Sequence, residues 1–353
     1  MLLEGTRVLD LSIWRPGPYA TQLLVDLGAD VIKVEPPGGD PMRGYPDLFA
    51  SLNASKRGIA LDLKDVADQA TALARAADAD VVVEGFRPGV ADRLGVGYPA
   101  VHADNPSVVY CSISGLGQTG PLALAPGHDI NYQAWAGSLA PDGGPPRTGA
   151  IPIADLAAGM AAALGICAAL VRRAATGQGE HVDVAMTDVL ASWTGAVAPQ
   201  ARDADPHARG VPGYGTFATG DGHHVALGII SEDHFWQALC SALALDESDA
   251  ALGFAERLAR ADVLQARVAG AIAARHRDEL VAALQAVDVP VAPVLDRAGM
   301  LALDHLRARG VVTVDPWSTD PSIGYPIAFT NSPAPTPRTP PPALDEHRGA
   351  TWR

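Results

Sequence analysis

The sequence predicts an α/β protein with a parallel sheet and a second, smaller α+β domain, on three observations. Short β-branched runs alternate with helical segments through the first half of the chain. A Pro/Gly-rich stretch over 199–215, "PQARDADPHARGVPGYG", interrupts that alternation. Beyond it the pattern changes to a β-hairpin followed by consecutive helices. Strands joined through helices build a parallel sheet covered on both faces, because a parallel return needs a crossover long enough to span the sheet.

Taken in order, "RVLDLS" (7–12) and "ADVIKVE" (29–35) read as strands around the helix "PYATQLLVDLG". "GIALDL" (58–63), the helical "DVADQATALARAADA" and "DVVVEGF" (80–86) repeat the unit, and "SVVYCSIS" (107–114) adds a strand. From Asp155, "DLAAGMAAALGICAALVRRAA" reads as a long Ala-rich helix closed by "TGQGE", with the strand "HVDVAM" after it. Its small side chains predict close helix packing. These elements set a large domain at 1–190, a linker at 191–214 and a small domain at 215–305 that opens with the hairpin "GTFATGDGHHVALGII". A return segment over 306–353 carries "NSPAPTPRTPPPAL", too proline-rich for a helix or central strand and expected to wrap over a surface.

At 353 residues, with 48% hydrophobic and 19% charged, the chain suits a globular enzyme rather than a disordered segment. A formal net charge of −14, from 26 Lys plus Arg against 40 Asp plus Glu, argues against non-specific binding to nucleic acid or anionic membranes. An anionic ligand therefore needs a local basic pocket. "MLLEGTRVLDLS" lacks the basic and long apolar regions of a signal peptide, and the apolar runs are interrupted, so the expected location is cytoplasmic. Cys111, Cys167 and Cys240 are odd in number and widely spaced, which suits buried small hydrophobes rather than a disulfide framework. His223 and His224 lack the companions of a metal motif, and no metal is expected.

Two motifs compete for attention. "GLGQTG" (115–120) fits the dinucleotide fingerprint on its strand side, but Pro121 and Pro126 leave no helix for it to open. A tight turn at the mouth of a cleft accounts for it better. "GHDINYQAWAG" (127–137) sets His128 beside Asp129, which reads either as a helix cap, with Asp129 capping the helix that follows, or as part of an active site. Asp155 opens the Ala-rich helix, where exposed N–H groups favour its anion and could serve a nearby oxyanion. For Asp155 too, the plain alternative is an N-cap.

The ordered segments "LDLSIWRPGPYATQLLVDLGADVIKVEPPGGD", "LNASKRGIALDLK", "EGFRPGVADRLGVGY", "YCSISGLGQTGP", "GHDINYQAWAG", "ADLAAGM", "RRAATGQGEHVDVAM" and "VPVAPVL" resemble the superfamily of family III CoA-transferases and α-methylacyl-CoA racemases over nearly the whole chain. The resemblance implies a Rossmann-like large CoA-binding domain completed by residues 316–353, a small domain, and two chains interlinked as rings in a homodimer. It also implies two chemistries around Asp155. In the transferases this aspartate is a nucleophile passing through an acyl anhydride and an aspartyl-CoA thioester. In the racemases it is one base of a pair whose other member is the histidine of "GHDINY", matched here by His128.

A two-base mechanism suits a histidine and an aspartate, with ordinary pKa values of about 6.5 and 3.9, flanking the α-carbon of a thioester. Because "RGVPGYGTFATGDG" also lacks the glycine run frequent in transferases, the expected activity is 2-methylacyl-CoA racemisation, with CoA transfer as the alternative. The resemblance adds Glu232 of "ISEDHFW" as a partner of the histidine, once one residue is inserted. For the CoA moiety, the sole cofactor implied, it points to Arg15, Arg43, Leu61, Lys64, Arg87, Arg93, Asp129 and Tyr132. Pro36 of "EPPGG" stands where relatives often carry an arginine that holds phosphate.

Overall fold

The computed structural model describes residues 1–139, 146–196, 210–332 and 337–353. It divides into two compact units, one of Met1–Ala196 with Asp304–Arg353 and one of Val197–Leu303. In the larger unit β1 (Arg7–Asp10), β2 (Asp30–Glu35), β3 (Arg57–Ala60), β4 (Val81–Glu84), β5 (Val109–Ser114) and β6 (Glu180–Ala185) form one sheet in the order β3-β2-β1-β4-β5-β6. Every pairing in it is parallel. The order reverses between β1 and β4, and in open α/β sheets that reversal leaves a crevice beyond the carboxyl ends of the strands.

Alternate residues serve opposite faces of the sheet. Val8, Val31, Val83, Val109 and Cys111 pack beneath the helices Pro16–Asp26 and Ile153–Thr176. Leu9, Ile32, Val82 and Tyr110 pack on the other face with Ala72 and Ala76 of the helix Val66–Ala77. Helix Ile153–Thr176 is long and apolar enough to cross a membrane by length and composition, yet Ala154, Ala158, Ala162 and Ile166 bury one side of it in this core. It starts two residues before Asp155, where the sequence placed its beginning. The expected close packing is found at Gly159, where an added Cβ would lie 2.7 Å from the Pro16 carbonyl oxygen and 2.8 Å from the Tyr19 ring.

After β5 the glycine turn opens no helix; the next one is Asp129–Trp135. Gly117 and Gly120 have φ of +83° and +101°, conformations that favour glycine. A Cβ on Gly115 would lie 2.1 Å from the Tyr132 ring. Cys111 and Cys240 are buried as expected, whereas Cys167 is half-buried.

The smaller unit has an antiparallel sheet, β7 (Tyr214–Ala218), β8 (His224–Gly228) and β9 (Val291–Pro293), in that order. Val225, Leu227, Trp236, Leu239, Leu264 and Val268 form its separate core. Boundaries differ from the sequence reading: the larger unit resumes at Asp304 rather than at 316, and residues 191–196, assigned to a linker, continue the helix Met186–Ala196. That segment, "ASWTGA", has nothing to stop a helix before the Pro/Gly-rich stretch. Residues 197–209, which include most of that stretch, lie outside the described residues, as do 333–336 of the proline-rich tail.

From Asp304 the chain belongs to the larger unit, which includes the short pair β10 (Val312–Val314) and β11 (Pro321–Ile323). The tail then runs along the outer edge of β3. His347 N–H donates to the Gly58 carbonyl at 2.9 Å, and Ala60 N–H donates to Asp345 Oδ1 at 2.9 Å. Backbone groups that an edge strand leaves open are thereby satisfied.

Candidate active site

Two acids named from the sequence, Asp129 and Asp155, meet at the start of helix Ile153–Thr176. Asp155 lies in its first turn and is half-buried. Burial pushes its carboxyl up to about 6, the neighbouring Asp129 carboxylate adds to the rise, and Arg15 and His128 oppose it. Asp129 is bonded to the backbone at Asp155, and Pro16, which follows Arg15, packs against Gly159 one turn along the same helix.

Asp129 does not cap its own helix, as the sequence reading allowed. It is that helix's first residue, after His128, whose N–H donates to Asn131 Oδ1 at 3.0 Å. Its carboxylate instead reaches the neighbouring helix, where Oδ1 accepts the N–H groups of Ala154 at 2.7 Å and Asp155 at 3.1 Å. Oδ2 accepts from Gln133 Nε2. The helix-start donors expected to meet an oxyanion at Ala154 and Asp155 are therefore engaged by a full negative charge. The cap being supplied from outside, the oxygens of Asp155 accept no hydrogen bond and form no ion pair among the described residues.

Arg15 precedes the first helix and is half-buried, with Tyr19 N–H donating to its carbonyl at 2.9 Å. Buried charges hold the turn that presents it. Lys33 Nζ donates to the Ser12 carbonyl at 2.8 Å and pairs with Asp40 at 3.0 Å, while Asp40 Oδ1 accepts the Trp14 N–H at 3.4 Å. Lys56, also buried, donates to Asp10 at 3.1 Å, Thr21 at 2.7 Å and Asn53 at 3.0 Å. Burial pushes the Lys56 ammonium down to about 8 against the pull of Asp10, and the two lysines hold Asp10 at about 2 although its own burial works the other way. Sequence reasoning passed over this network; its signal was a lysine inside the apolar run "DVIKVE".

The remaining positions fall into different settings. Tyr132 is buried and its hydroxyl donates to the Gly127 carbonyl at 2.7 Å; burial and Asp155 raise its pKa, and Arg87 lowers it. Arg87 and Arg93 are exposed beyond the carboxyl end of β4, and Lys64 is exposed beyond that of β3. Arg43 grips buried Glu35 with two bonds of 2.7 and 2.6 Å, donates to the Pro342 carbonyl at 3.0 Å and lies over Phe49. Leu61 is buried in the sheet core, its N–H donating to the Glu35 carbonyl at 2.9 Å. Glu232 belongs to the smaller unit, preceding helix Asp233–Leu243. There its carboxylate accepts the Ile230 N–H at 2.9 Å, which lowers its pKa.

Sequence reasoning also missed a buried polar group on the sheet. Glu84, at the end of β4, is pushed up to about 7 by burial, against hydrogen bonds from Ser112 and from the Phe86 N–H at 2.7 Å. Ser112 Oγ lies 3.0 Å from His181 Nε2, whose ring stacks on Tyr98. An acid closing the run "VVVE" was the available sign.

With this geometry in view, residues 3–348 match the family described as CoA-transferase family III. The acetyl-CoA:oxalate CoA-transferase of Acetobacter aceti is 35% identical over 373 residues, covering 99% of this chain and 94% of that protein. The succinyl-CoA:mesaconate CoA-transferase of Haloarcula hispanica is 35% identical over 382 residues, covering 98% and 94%. Among solved structures, a CAIB/BAIF family protein from Brucella suis aligns with a TM-score of 0.85 at 30% identity, covering 98% of this chain and 97% of that one.

Proposed function

Because the chain belongs to CoA-transferase family III, we propose that it transfers CoA from an acyl thioester to a free carboxylic acid, with Asp155 as nucleophile. The observation that carries this reading is that Asp129 caps the helix in place of Asp155. A carboxylate released from capping, with its pKa raised to about 6, is still mostly ionised near neutrality and is more nucleophilic than an ordinary aspartate.

Asp155 attacks the thioester carbonyl, forming a mixed anhydride as CoA thiolate leaves. The thiolate attacks the aspartyl carbonyl of that anhydride, releasing the donor acid as its carboxylate and leaving aspartyl-CoA. The acceptor carboxylate attacks the aspartyl-CoA carbonyl and expels thiolate, which then attacks the acceptor carbonyl and frees Asp155. Each step exchanges one acyl bond for another, so the cycle closes with CoA as its only cofactor.

Exposed Arg87, Arg93 and Lys64 are proposed for the CoA phosphates, with Tyr132 along the cleft. Arg43 is held by Glu35 and contributes to the shape of the site first. The relatives' names supply the acid class, since oxalate and mesaconate are dicarboxylic acids. We further propose a homodimer. Met160, Leu164 and Val171 share a face of helix Ile153–Thr176 and are 48%, 71% and 73% exposed, an apolar stripe that suits burial against a second copy.

Racemisation is the second reading, favoured by the place of His128, one residue before the Asp129 that is bonded to the helix start at Asp155. Hydroxylamine separates the two. Incubation with acyl-CoA should leave a hydroxamate on the Asp155 peptide, detected by mass. Its absence, together with exchange of the α-proton of a 2-methylacyl-CoA in D₂O, would establish racemisation instead.

A further inference from the structure

We propose that Arg15 binds a second carboxylate on the acyl group, making the site selective for short dicarboxylic acids and their CoA monoesters. The inference rests on Asp155 being where the acyl carbon reacts. It departs from the sequence expectation that Arg15 contacts the CoA moiety.

Asp155 and Gly159 are one turn apart on the same side of their helix. Gly159 lies against the Pro16 carbonyl so closely that an added Cβ would be 2.7 Å from it. Arg15, the residue before Pro16, is therefore held beside the face that carries Asp155. Its charge reaches the Asp155 carboxyl, yet it closes no ion pair with it or with any other described residue. An arginine that is half-buried and unmatched among the described residues, in a chain with an excess of 14 negative charges, suits a carboxylate that its planar fork can grip.

The turn before it is rigid and strained. Trp14 adopts φ of +63°, a left-handed conformation unusual for a large side chain. Lys33 and Asp40 fix the carbonyl of Ser12 and the N–H of Trp14 on either side of the bend. A Cβ on Gly17 would lie 2.1 Å from Ser12 Oγ, so the loop closes tightly on the helix start. Buried charges and backbone strain spent on one turn fit a side chain that must be aimed. With the reacting carbonyl at Asp155 and the Pro16 backbone packed one turn along the same helix, an anion held by Arg15 would belong to the same short acyl group.

Two unreactive thioethers test this without relying on catalysis: S-(3-carboxypropyl)-CoA and S-butyl-CoA, which match in length and differ by the terminal carboxylate. Calorimetry should show wild type binding the carboxylated analogue about ten-fold more tightly, the scale of one charge-assisted contact. Arg15→Gln should remove that preference while leaving CoA and S-butyl-CoA within about two-fold, and Arg15→Lys should keep part of it. The proposal is overturned if wild type shows no preference, if Arg15→Gln retains it, or if the variant weakens CoA and both thioethers alike. Failure of hydroxylamine trapping would sink the nucleophile reading and leave this binding result standing.

Discussion

Asp129 caps the helix on which Asp155 sits, its Oδ1 3.1 Å from the Asp155 nitrogen. One acid satisfies the helix start so that the next acid along the helix need not. The same proximity of two negative charges helps to raise the pKa of Asp155.

Asp129→Asn should consequently move two quantities in the same direction. Losing the charge weakens the cap by about 1 kcal/mol, lowering the melting temperature. It also removes a neighbour that raises the pKa of Asp155, so the acid limb of the rate profile should shift to lower pH. A limb unchanged in Asp129→Asn would separate Asp129 from the reactive carboxylate.

As the proposed nucleophile, Asp155 would react as its carboxylate. Turnover with an acceptor acid that stays ionised throughout, measured from pH 5 to 8, should therefore fall as pH drops through about 6, rather than near the ordinary aspartate value. Asp155→Asn should reduce turnover by a factor of about 10³ or more, the scale for removing a nucleophile. Near-normal turnover in that variant would assign the chemistry elsewhere.

Glu84 gives a stability signature distinct from activity. Its folded pKa of about 7 exceeds the ordinary 4.5, so the folded state binds the proton more tightly. That contribution is fully present below about 4.5 and is lost as pH rises through about 7. Glu84→Gln should leave the melting temperature near pH 4.5 almost unchanged and raise it at pH 8, by up to about 3 kcal/mol in stability. Equal shifts at both pH values would contradict this.

Gly115→Ala introduces a methyl group 2.1 Å from the Tyr132 ring. A cost of about 1–3 kcal/mol follows from overpacking, along with displacement of Tyr132, which is proposed to line the cleft. Calorimetry of the variant checks the first and acyl-CoA affinity the second.

The exposed stripe on helix Ile153–Thr176 predicts assembly. Sedimentation should find wild type dimeric at micromolar concentration, and Leu164→Arg should shift it towards monomer or aggregate. A wild-type monomer at that concentration would leave Met160, Leu164 and Val171 needing another explanation.

The parallel sheet was legible because strand and helix periodicities alternate, and Pro121 sufficed to dismiss the dinucleotide reading of "GLGQTG". The positions of His128, Asp129 and Asp155 were legible through their motifs. What Asp129 does was not: its partners are the nitrogens at 154 and 155, and no local pattern encodes a bond across that interval. Arg43 was read as a CoA contact, and its bonds to Glu35 and to the Pro342 carbonyl were not legible, the second because it forms only once the tail has docked. Glu84 and Lys33 were single polar letters in apolar runs, whose meaning depends on what faces them.

The docking of that tail on β3 has a bearing on biosynthesis. Asp345, which receives the Ala60 N–H, is translated 285 residues after it. At about 5 to 20 residues per second, the outer strand waits roughly 15 to 60 s on the ribosome with its hydrogen-bonding edge uncovered. During that interval the edge is a template for pairing with another nascent chain. Yield should thus depend on translation rate and on chaperone occupancy of the first 60 residues, and substitutions at Asp345 or His347 should appear first as insoluble protein rather than as lost catalysis.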